Sequence, residues 1–225
     1  ATQLLGAQAG VTMDTVVRNQ LSAGNNVLFC PTVASGTETA VTLRKNMNTT
    51  SQLTVKMIQK AVATLKKNNV PTFNGDYVAI IHPYVAYDLQ RDPEWIDAHK
   101  YAQPENLFTG EIGKVAGVRF VESTEAKVWK DSDCPQKSAG SGSDPATYYG
   151  VFSTLVLGKN AYGVTEVTGG GLQTIVKPLG AGEDPLNQRS TVGWKGILTA
   201  KILLEQNMVR IESVSAEWSG TVDAN

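Results

Sequence analysis

The chain has 225 residues, of which 41% are hydrophobic and 18% are charged, and its 20 basic and 21 acidic residues give a net charge of −1. This composition is typical of a globular protein that is long enough to form one large domain or two interleaved lobes. The balance of charge argues against a dedicated nucleic-acid-binding protein, which would carry a basic excess. The sequence contains no run of about 18 apolar residues, so it predicts no membrane span.

The two cysteines, Cys30 and Cys134, lie far apart in the sequence. Neither belongs to a Cys-x-x-Cys pair, which argues against a zinc site, and one possible pair in so long a chain does not indicate a disulfide framework. The N-terminus also lacks the basic region followed by an apolar core that marks a secretory signal. We therefore expect two free thiols and a reducing, cytoplasmic origin.

The first 50 residues predict a helix and a hairpin. The helix runs between Gly10 and Gly24, with Thr12 as its cap and Gly24 as a left-handed C-terminal residue. Two strands, Asn26 to Pro31 and Glu38 to Leu43, are expected to pair through a turn at residues 34–36. A polar linker then leads to the middle of the chain.

The middle of the chain carries the clearest local signals. After Thr54, a good N-cap, the apolar residues Ile58, Ala61, Val62 and Leu65 recur at helical spacing, and Pro71 ends the run. Proline at a first helical position predicts two more helices, which begin at Pro83 and Pro93. A short apolar run predicts a buried strand from Tyr77 to Ile81, and a further strand is expected from Val118 to Val121.

The rest of the chain predicts loops and strands. Residues 130–147 hold hardly any core-forming residue and predict a long exposed loop. Three β-rich runs follow, Tyr148 to Leu157, Val192 to Leu204 and Met208 to Val214. In the last run Val209 and Ile211 are expected to face the core while Arg210 and Glu212 face solvent, and residues 218–225 look like a tail. This order of elements predicts an α+β fold in which the C-terminal strands return to the N-terminal helix, so that one lobe is discontinuous.

Searches for catalytic motifs find no phosphate loop, dinucleotide-binding fingerprint, zinc-protease motif or nucleophile elbow. Asp92, Glu94 and His99 are one group that could serve a hydrolase. Acidic residues at a helix start and a histidine late in a helix explain the same residues without chemistry. His82 is expected to cap the helix that begins at Pro83. We therefore predict no catalytic, cofactor-binding or metal site, and the hydrolase is retained as an alternative.

Several segments resemble the major capsid proteins of tailed phages, and more narrowly the N4-like group within the Hong Kong 97-type capsid fold. In the middle of the chain these are Tyr77-Val-Ala-Ile-Ile-His-Pro83, Arg91-Asp-Pro-Glu-Trp95, Ala98-His-Lys-Tyr101, Gly110-Glu-Ile-Gly113 and Gly117-Val-Arg-Phe-Val-Glu-Ser123. In the C-terminal part they are Asp184-Pro-Leu-Asn-Gln-Arg189, Gly193-Trp-Lys195 and Met208-Val-Arg-Ile-Glu212.

This resemblance implies a fold with two lobes. Residues 1–52 and 186–225 would form a discontinuous peripheral lobe. Residues 53–185 would form an axial lobe, from which the loop at 130–147 projects. Arg91, Trp95 and Trp194 are predicted to contribute to contacts between subunits or lobes.

The function that the resemblance implies is structural, with no enzymatic activity and no cofactor. Copies would assemble into pentamers and hexamers that form an icosahedral shell around phage double-stranded DNA, without reading its sequence. Scaffolding, portal or decoration proteins are possible partners, a membrane is not, and the location would be the virion capsid, assembled in the cytoplasm of the bacterial host. An encapsulin-like nanocompartment shell, which encloses protein cargo, is the alternative on the same fold.

Overall fold

The computed structural model describes residues 2–102, 113–138, 147–165, 170–180, 186 and 188–225. The helices are α1 (Thr2–Leu21), α2 (Val55–Lys67), α3 (Pro83–Gln90) and α4 (Pro93–Ala102), and two 3₁₀ turns span Arg44–Asn46 and Glu205–Asn207. The strands are β1 (Val27–Phe29), β2 (Thr32–Ala34), β3 (Thr37–Thr39), β4 (Tyr77–Ile81), β5 (Lys114–Val115), β6 (Val118–Glu122), β7 (Val128–Trp129), β8 (Gln136–Ser138), β9 (Thr147–Tyr148), β10 (Val151–Leu157), β11 (Tyr162–Val164), β12 (Gln173–Lys177), β13 (Thr191–Lys195), β14 (Ala200–Ile202) and β15 (Met208–Val214).

The chain divides into two compact units. Unit 1 comprises Ala1–Leu21 and Tyr162–Ile202, and unit 2 comprises Ser22–Ala161 and Leu203–Asn225. The N-terminal helix therefore does share a discontinuous unit with later strands. The unit boundaries differ from those of the implied lobes, because residues 22–52 and 203–225 belong with the central sheet. How the units correspond to a peripheral and an axial lobe stays a prediction.

Unit 2 is built on a seven-stranded mixed sheet. Six strands follow the order β1-β15-β10-β4-β6-β5, and β7 pairs with β10 beside this path. Strand β15 is parallel to β1 and antiparallel to β10, while β4 is antiparallel to β10 and parallel to β6. Helix α2 packs against β15 through the apolar face that its sequence predicts, and Ile58, Ala61 and Leu65 are fully buried there.

Unit 1 joins α1 to two small antiparallel ladders. Strand β11 pairs with β14, and β12 pairs with β13. Helix α1 packs against β14 and β13. No helix among the described residues is long and apolar enough to cross a membrane.

The structure confirms the helices and the strand β4 that were predicted in the middle of the chain. Helix α2 follows Thr54, strand β4 has the predicted bounds, and α3 and α4 begin at the two predicted prolines. His82 caps α3 as expected, because its Nδ1 accepts a hydrogen bond of 3.2 Å from the Tyr84 N–H. The Thr54 side chain, in contrast, makes no capping hydrogen bond.

The N-terminal predictions need three corrections. Helix α1 ends at Leu21, and Gly24 does not have the positive φ expected of a left-handed C-terminal residue. Helix α1 begins at Thr2 rather than near Thr12, whose hydroxyl bonds back to the Gln8 carbonyl inside the helix. The expected hairpin is real only near its turn, where β2 pairs with β3. Strand β1 pairs instead with β15, more than 180 residues away, and a partner at that distance leaves no mark in the local pattern.

The predicted exposed loop and the predicted tail are both partly tied down. Residues 131–133 and 136–138 are exposed, but Cys134 and Pro135 are buried, and residues 139–146 lie outside the described part of the chain. In the C-terminal segment the Trp218 ring stacks on Tyr84 at 4.7 Å.

Strand β15 contradicts the expectation of a half-buried strand. All seven of its residues are buried, including Arg210 and the fully buried Glu212. The pattern was misread because alternation is the same whether the polar face meets water or meets polar side chains of the same protein. Here the polar face is covered by groups from distant parts of the chain.

Candidate functional site

The most distinctive chemical feature is a buried ion cluster on the polar face of β15, formed by Arg44, Arg210 and Glu212. The Arg44 Nε and Nη2 atoms donate to the two oxygens of Glu212 at 2.6 and 2.8 Å, and the Arg210 Nε donates to Oε1 at 3.0 Å. The Glu212 side chain has no exposed surface. The cluster thus places one carboxylate between two guanidiniums, all bonded at charge-assisted distances.

Two further contacts fix the cluster in place. The Arg210 Nη1 donates to the carbonyl oxygens of Ser22 and Gly24, just after α1 ends. The Arg44 guanidinium lies 3.9 Å from the centre of the Trp129 ring, a cation–π contact. Burial alone would lower the pKa of Arg44, but its hydrogen bond to Glu212 and the charge of Glu212 outweigh burial, so the pKa is raised. For Arg210 burial prevails and the pKa is lowered. These contacts indicate that the cluster has a structural role.

The two cysteines are free thiols buried in the core, as predicted. Burial, followed by the charge of Glu212, raises the pKa of Cys30 well above its ordinary value. Burial also raises the pKa of Cys134 to about 12, although the backbone contact with Asp131 opposes this. A nucleophilic cysteine needs a lowered pKa, so neither thiol has the properties of a catalytic residue.

Asp92, the first residue of the candidate hydrolase group, connects two helix N-termini. Its Oδ2 accepts from the Val55 N–H at 2.8 Å, at the start of α2. Its Oδ1 accepts from the Glu94 N–H at 3.0 Å, at the start of α4. Asp92 therefore supplies the cap that Thr54 does not supply, and both oxygens already serve a structural purpose.

The other ionisable candidates give no further site. Glu94 is exposed in the first turn of α4, and the side chain of His99 lies outside the described residues. Burial lowers the pKa of His82, which favours the neutral ring that caps α3. Within the described ranges, no group of three or more His, Cys, Asp or Glu residues is arranged to hold a metal ion.

The three predicted contact residues lie in different environments. Arg91 is exposed at the end of α3, where its guanidinium donates to the Tyr87 hydroxyl. Trp95 is only 3% exposed and packs in the core of unit 2. Trp194 is half-buried in β13, opposite Thr174 of β12. Arg91 and Trp95 belong to unit 2 and Trp194 to unit 1, and their part in contacts between subunits or lobes stays a prediction.

An open groove runs beside β1, the edge strand of the large sheet. Its volume is about 630 Å³, and it is lined by β1, by the segment after β3 and by α2; the lining residues include Val27, Leu28, Phe29, Val41, Met57 and Lys60. Segments 26–31 and 38–43, which the sequence predicted to pair, thus line this groove together. An open edge strand of this kind can accept a further strand.

Unit 1 carries a second accessible apolar surface, the hairpin of β12 and β13. All five residues of β12 are exposed, with Ile175 at 42% and Val176 at 62%. These two side chains point to opposite faces of the strand. Val176 shares its face with Val192 and Trp194, so that face is apolar, whereas the face of Ile175 also carries Lys177 and Lys195. A two-stranded ladder is marginally stable in water, and such a hairpin gains stability from a covering surface.

The model of the phage capsid protein family matches residues 1–188, which is most of the chain. The chain belongs to the phage capsid protein family. No curated protein matches this capsid protein at a significant level.

Solved structures of phage capsids share its fold. The capsid of cyanophage P-SCSP1u matches with a TM-score of 0.63 and 18% identity over 95% of this chain and 65% of that chain. The capsid of Helicobacter pylori bacteriophage KHP30 matches with a TM-score of 0.63 and 11% identity over 95% of this chain and 68% of that chain. This capsid protein therefore spans about two thirds of each of these chains. The predicted α+β fold of Hong Kong 97 type is confirmed, and the N4-like group stays a prediction.

An encapsulin also shares this fold. The SrpI encapsulin of Synechococcus elongatus PCC 7942 matches with a TM-score of 0.56 and 10% identity over 99% of this chain and 67% of that chain. The likeness agrees with the alternative considered from the sequence. At this identity it shows the fold alone.

Sequence reasoning missed the buried ion cluster of this capsid protein. Arg210 and Glu212 were assigned to solvent, and Arg44 was not singled out at all. One signal was available: two opposite charges lie two residues apart in a strand and so share a face. Nothing local indicates that the partner of Glu212 lies 168 residues away.

Proposed function

We propose that this chain forms the shell of a tailed phage, as a structural major capsid protein that assembles into pentamers and hexamers around double-stranded DNA. The family match over residues 1–188 carries this proposal. Assembly in the cytoplasm of the bacterial host belongs to the same proposal, as do contacts with scaffolding, portal or decoration proteins. In this proposal the described fold is the building block of the shell, and its function requires no chemical reaction.

The exposed surfaces support an assembling protein. A closed shell uses heterologous contacts, in which one surface of a copy meets a different surface of its neighbour. The apolar hairpin of unit 1 and the groove of unit 2 are two such different surfaces. Each contact can be weak, because many contacts act together in a closed shell. A near-neutral chain also avoids repulsion between copies.

The test is negative-stain electron microscopy of the purified chain together with its mass in solution. We expect closed shells, or rings of five or six copies. Val176→Asp should reduce the fraction of assembled protein, because it places a charge on the apolar face of the hairpin. Thr191→Asp is the matched control, since it adds the same charge to an exposed residue on the other face of the hairpin. Wild-type chain that stays monomeric at all concentrations would contradict the proposal.

An encapsulin-like shell is the second candidate, favoured by the likeness to the SrpI encapsulin. The two candidates differ in what the shell encloses. Shells purified from the native source would contain nuclease-protected DNA under the capsid proposal. A co-purifying cargo enzyme without DNA would favour the encapsulin-like alternative.

A further inference from the structure

Helix α2 presents a basic stripe to solvent. At 100° per residue, Lys56, Lys60 and Lys67 fall within about 40° of one another around the helix axis. They lie opposite Leu65, which is fully buried in the core. The exposed positions of the helix are Lys56, Gln59, Lys60, Ala63, Lys66 and Lys67, none of which is acidic or a large apolar residue.

Two of the exposed lysines, Lys56 and Lys60, oppose the stability of the helix, whereas Lys66 and Lys67 lie in its last turn, where cations are favourable. A solvent-exposed helix face usually mixes both signs of charge, since like charges four residues apart destabilise a helix by a few tenths of a kcal/mol. Lys56 and Lys60 are such a pair. Only Lys56 is compensated among the contacts described, through its ion pair with Glu38 of the neighbouring β3. This concentration of positive charge stands out in a chain whose net charge is −1.

The backbone of a lysine from another part of the sequence is bonded to the segment that follows α2. The Lys159 N–H donates to the Pro71 carbonyl at 2.9 Å, which places this exposed residue just beyond the C-terminal end of α2. The Asn207 side chain holds the Lys159 carbonyl at 2.8 Å from the other side. Lys60 and Lys67, together with Lys66 at the edge of the exposed face about 100° around the helix from Lys67, are called the α2 basic surface below.

We propose that the α2 basic surface binds the phosphate backbone of duplex DNA without reading its sequence. From Lys60 to Lys67 the surface runs for about 10 Å at 1.5 Å per residue. A duplex presents one negative charge about every 1.7 Å, so this length faces several phosphates. The exposed face has no aromatic or large apolar side chain that would anchor a protein partner, which favours DNA over an acidic protein. The inference rests on the proposed function in one respect, because it identifies the bound polyanion as the DNA that the shell encloses.

The test measures binding of a fluorescein-labelled 30-base-pair duplex of random sequence to the purified chain, by fluorescence anisotropy at 50 to 200 mM salt. In the triple variant Lys60→Gln, Lys66→Gln, Lys67→Gln we expect the magnitude of the negative slope of log K against log salt to fall by about 1.8–2.7, which is about 0.9 for each of two or three lost phosphate contacts. Affinity at 50 mM salt should fall roughly tenfold or more. Glutamine has nearly the same helix propensity as lysine, so the melting temperature should stay unchanged.

Two control variants distinguish DNA binding by the α2 basic surface from a general effect of net charge. Lys177→Gln, Lys195→Gln, Lys201→Gln makes the same change in charge on exposed strand residues of unit 1 and should leave the slope nearly unchanged. Replacing the three α2 lysines by arginine should retain the wild-type slope. Equal losses in both glutamine variants, or no binding by the wild type, would overturn the inference, as would tighter binding of a polyglutamate peptide than of the duplex. Shell formation is scored separately by microscopy, so a failure of assembly does not affect this result.

Discussion

Replacing Glu212 by glutamine tests whether the buried ion cluster is an important part of the fold. The substitution keeps the shape of the side chain but leaves two largely buried guanidiniums without their anion, since Arg210 and Arg44 are only 10% and 19% exposed. Removing one partner from a buried ion pair costs about 3–5 kcal/mol. Because glutamine can still accept one hydrogen bond, we expect the free energy of unfolding to fall by about 3 kcal/mol, at the low end of this range. For a chain of this size that corresponds to a fall in melting temperature of about 6–12 °C.

The assay is thermal and urea unfolding followed by circular dichroism, with Glu38→Gln as the matched control. Glu38 makes an exposed ion pair with Lys56, and such pairs contribute less than about 1 kcal/mol. A double-mutant cycle with Arg44→Met should give a coupling free energy of more than about 1 kcal/mol, because both groups belong to one network. If Glu212→Gln costs no more than Glu38→Gln, the cluster contributes little and the reasoning is wrong.

Four further predictions follow from the same structure. Asp92→Ala should destabilise the protein by about 1–2 kcal/mol in urea unfolding, because two helix starts lose their cap. Trp95→Ala should cost about 3–5 kcal/mol, since it empties a core position, and an unchanged melting temperature and shell yield would contradict this. The pKa of His82 is lowered on folding, so its contribution to the free energy of unfolding is present above its unfolded pKa and is lost as the pH falls. The variant His82→Asn, which retains a cap, should therefore lose less stability than the wild type between pH 7 and pH 5. Because the pKa of Cys134 is raised to about 12, stability should fall as pH rises above 9, and less steeply in Cys134→Ala.

The parts of the fold that the sequence predicts well are those whose causes lie within a few residues. Helix α3 follows a histidine cap and a proline at its first position, and strand β4 is a short apolar run between turns. In α2 the buried face follows directly from helical periodicity. Each of these signals is complete in a window of about ten residues, so no knowledge of the partner elements is needed.

The parts that could not be predicted depend on distant partners. Strand β1 reads equally well as one side of a local hairpin and as a strand parallel to β15, because the local pattern does not encode the partner. Capping of α2 by Asp92 rather than Thr54 likewise depends on a carboxylate 37 residues away. The same limit applies to candidate contacts: the sequence predicts that Trp95 contributes to contacts between subunits or lobes, but only the packed structure places its side chain in the core of its own unit.

The ion cluster also bears on how β15 finds its register. This strand is buried on both faces, so burial alone does not distinguish its two sides. A slip of one residue against β10 would exchange the faces, and would move Arg210 and Glu212 to the side occupied by Val209 and Ile211. That alternative leaves both charges in an apolar environment without Arg44 and without the carbonyls of Ser22 and Gly24, at a cost of several kcal/mol. We infer that the cluster contributes to the accuracy of strand pairing next to the edge strand β1 more than to net stability. Glu212→Gln should therefore slow refolding as well as lower stability, and unchanged refolding kinetics would restrict its role to stability.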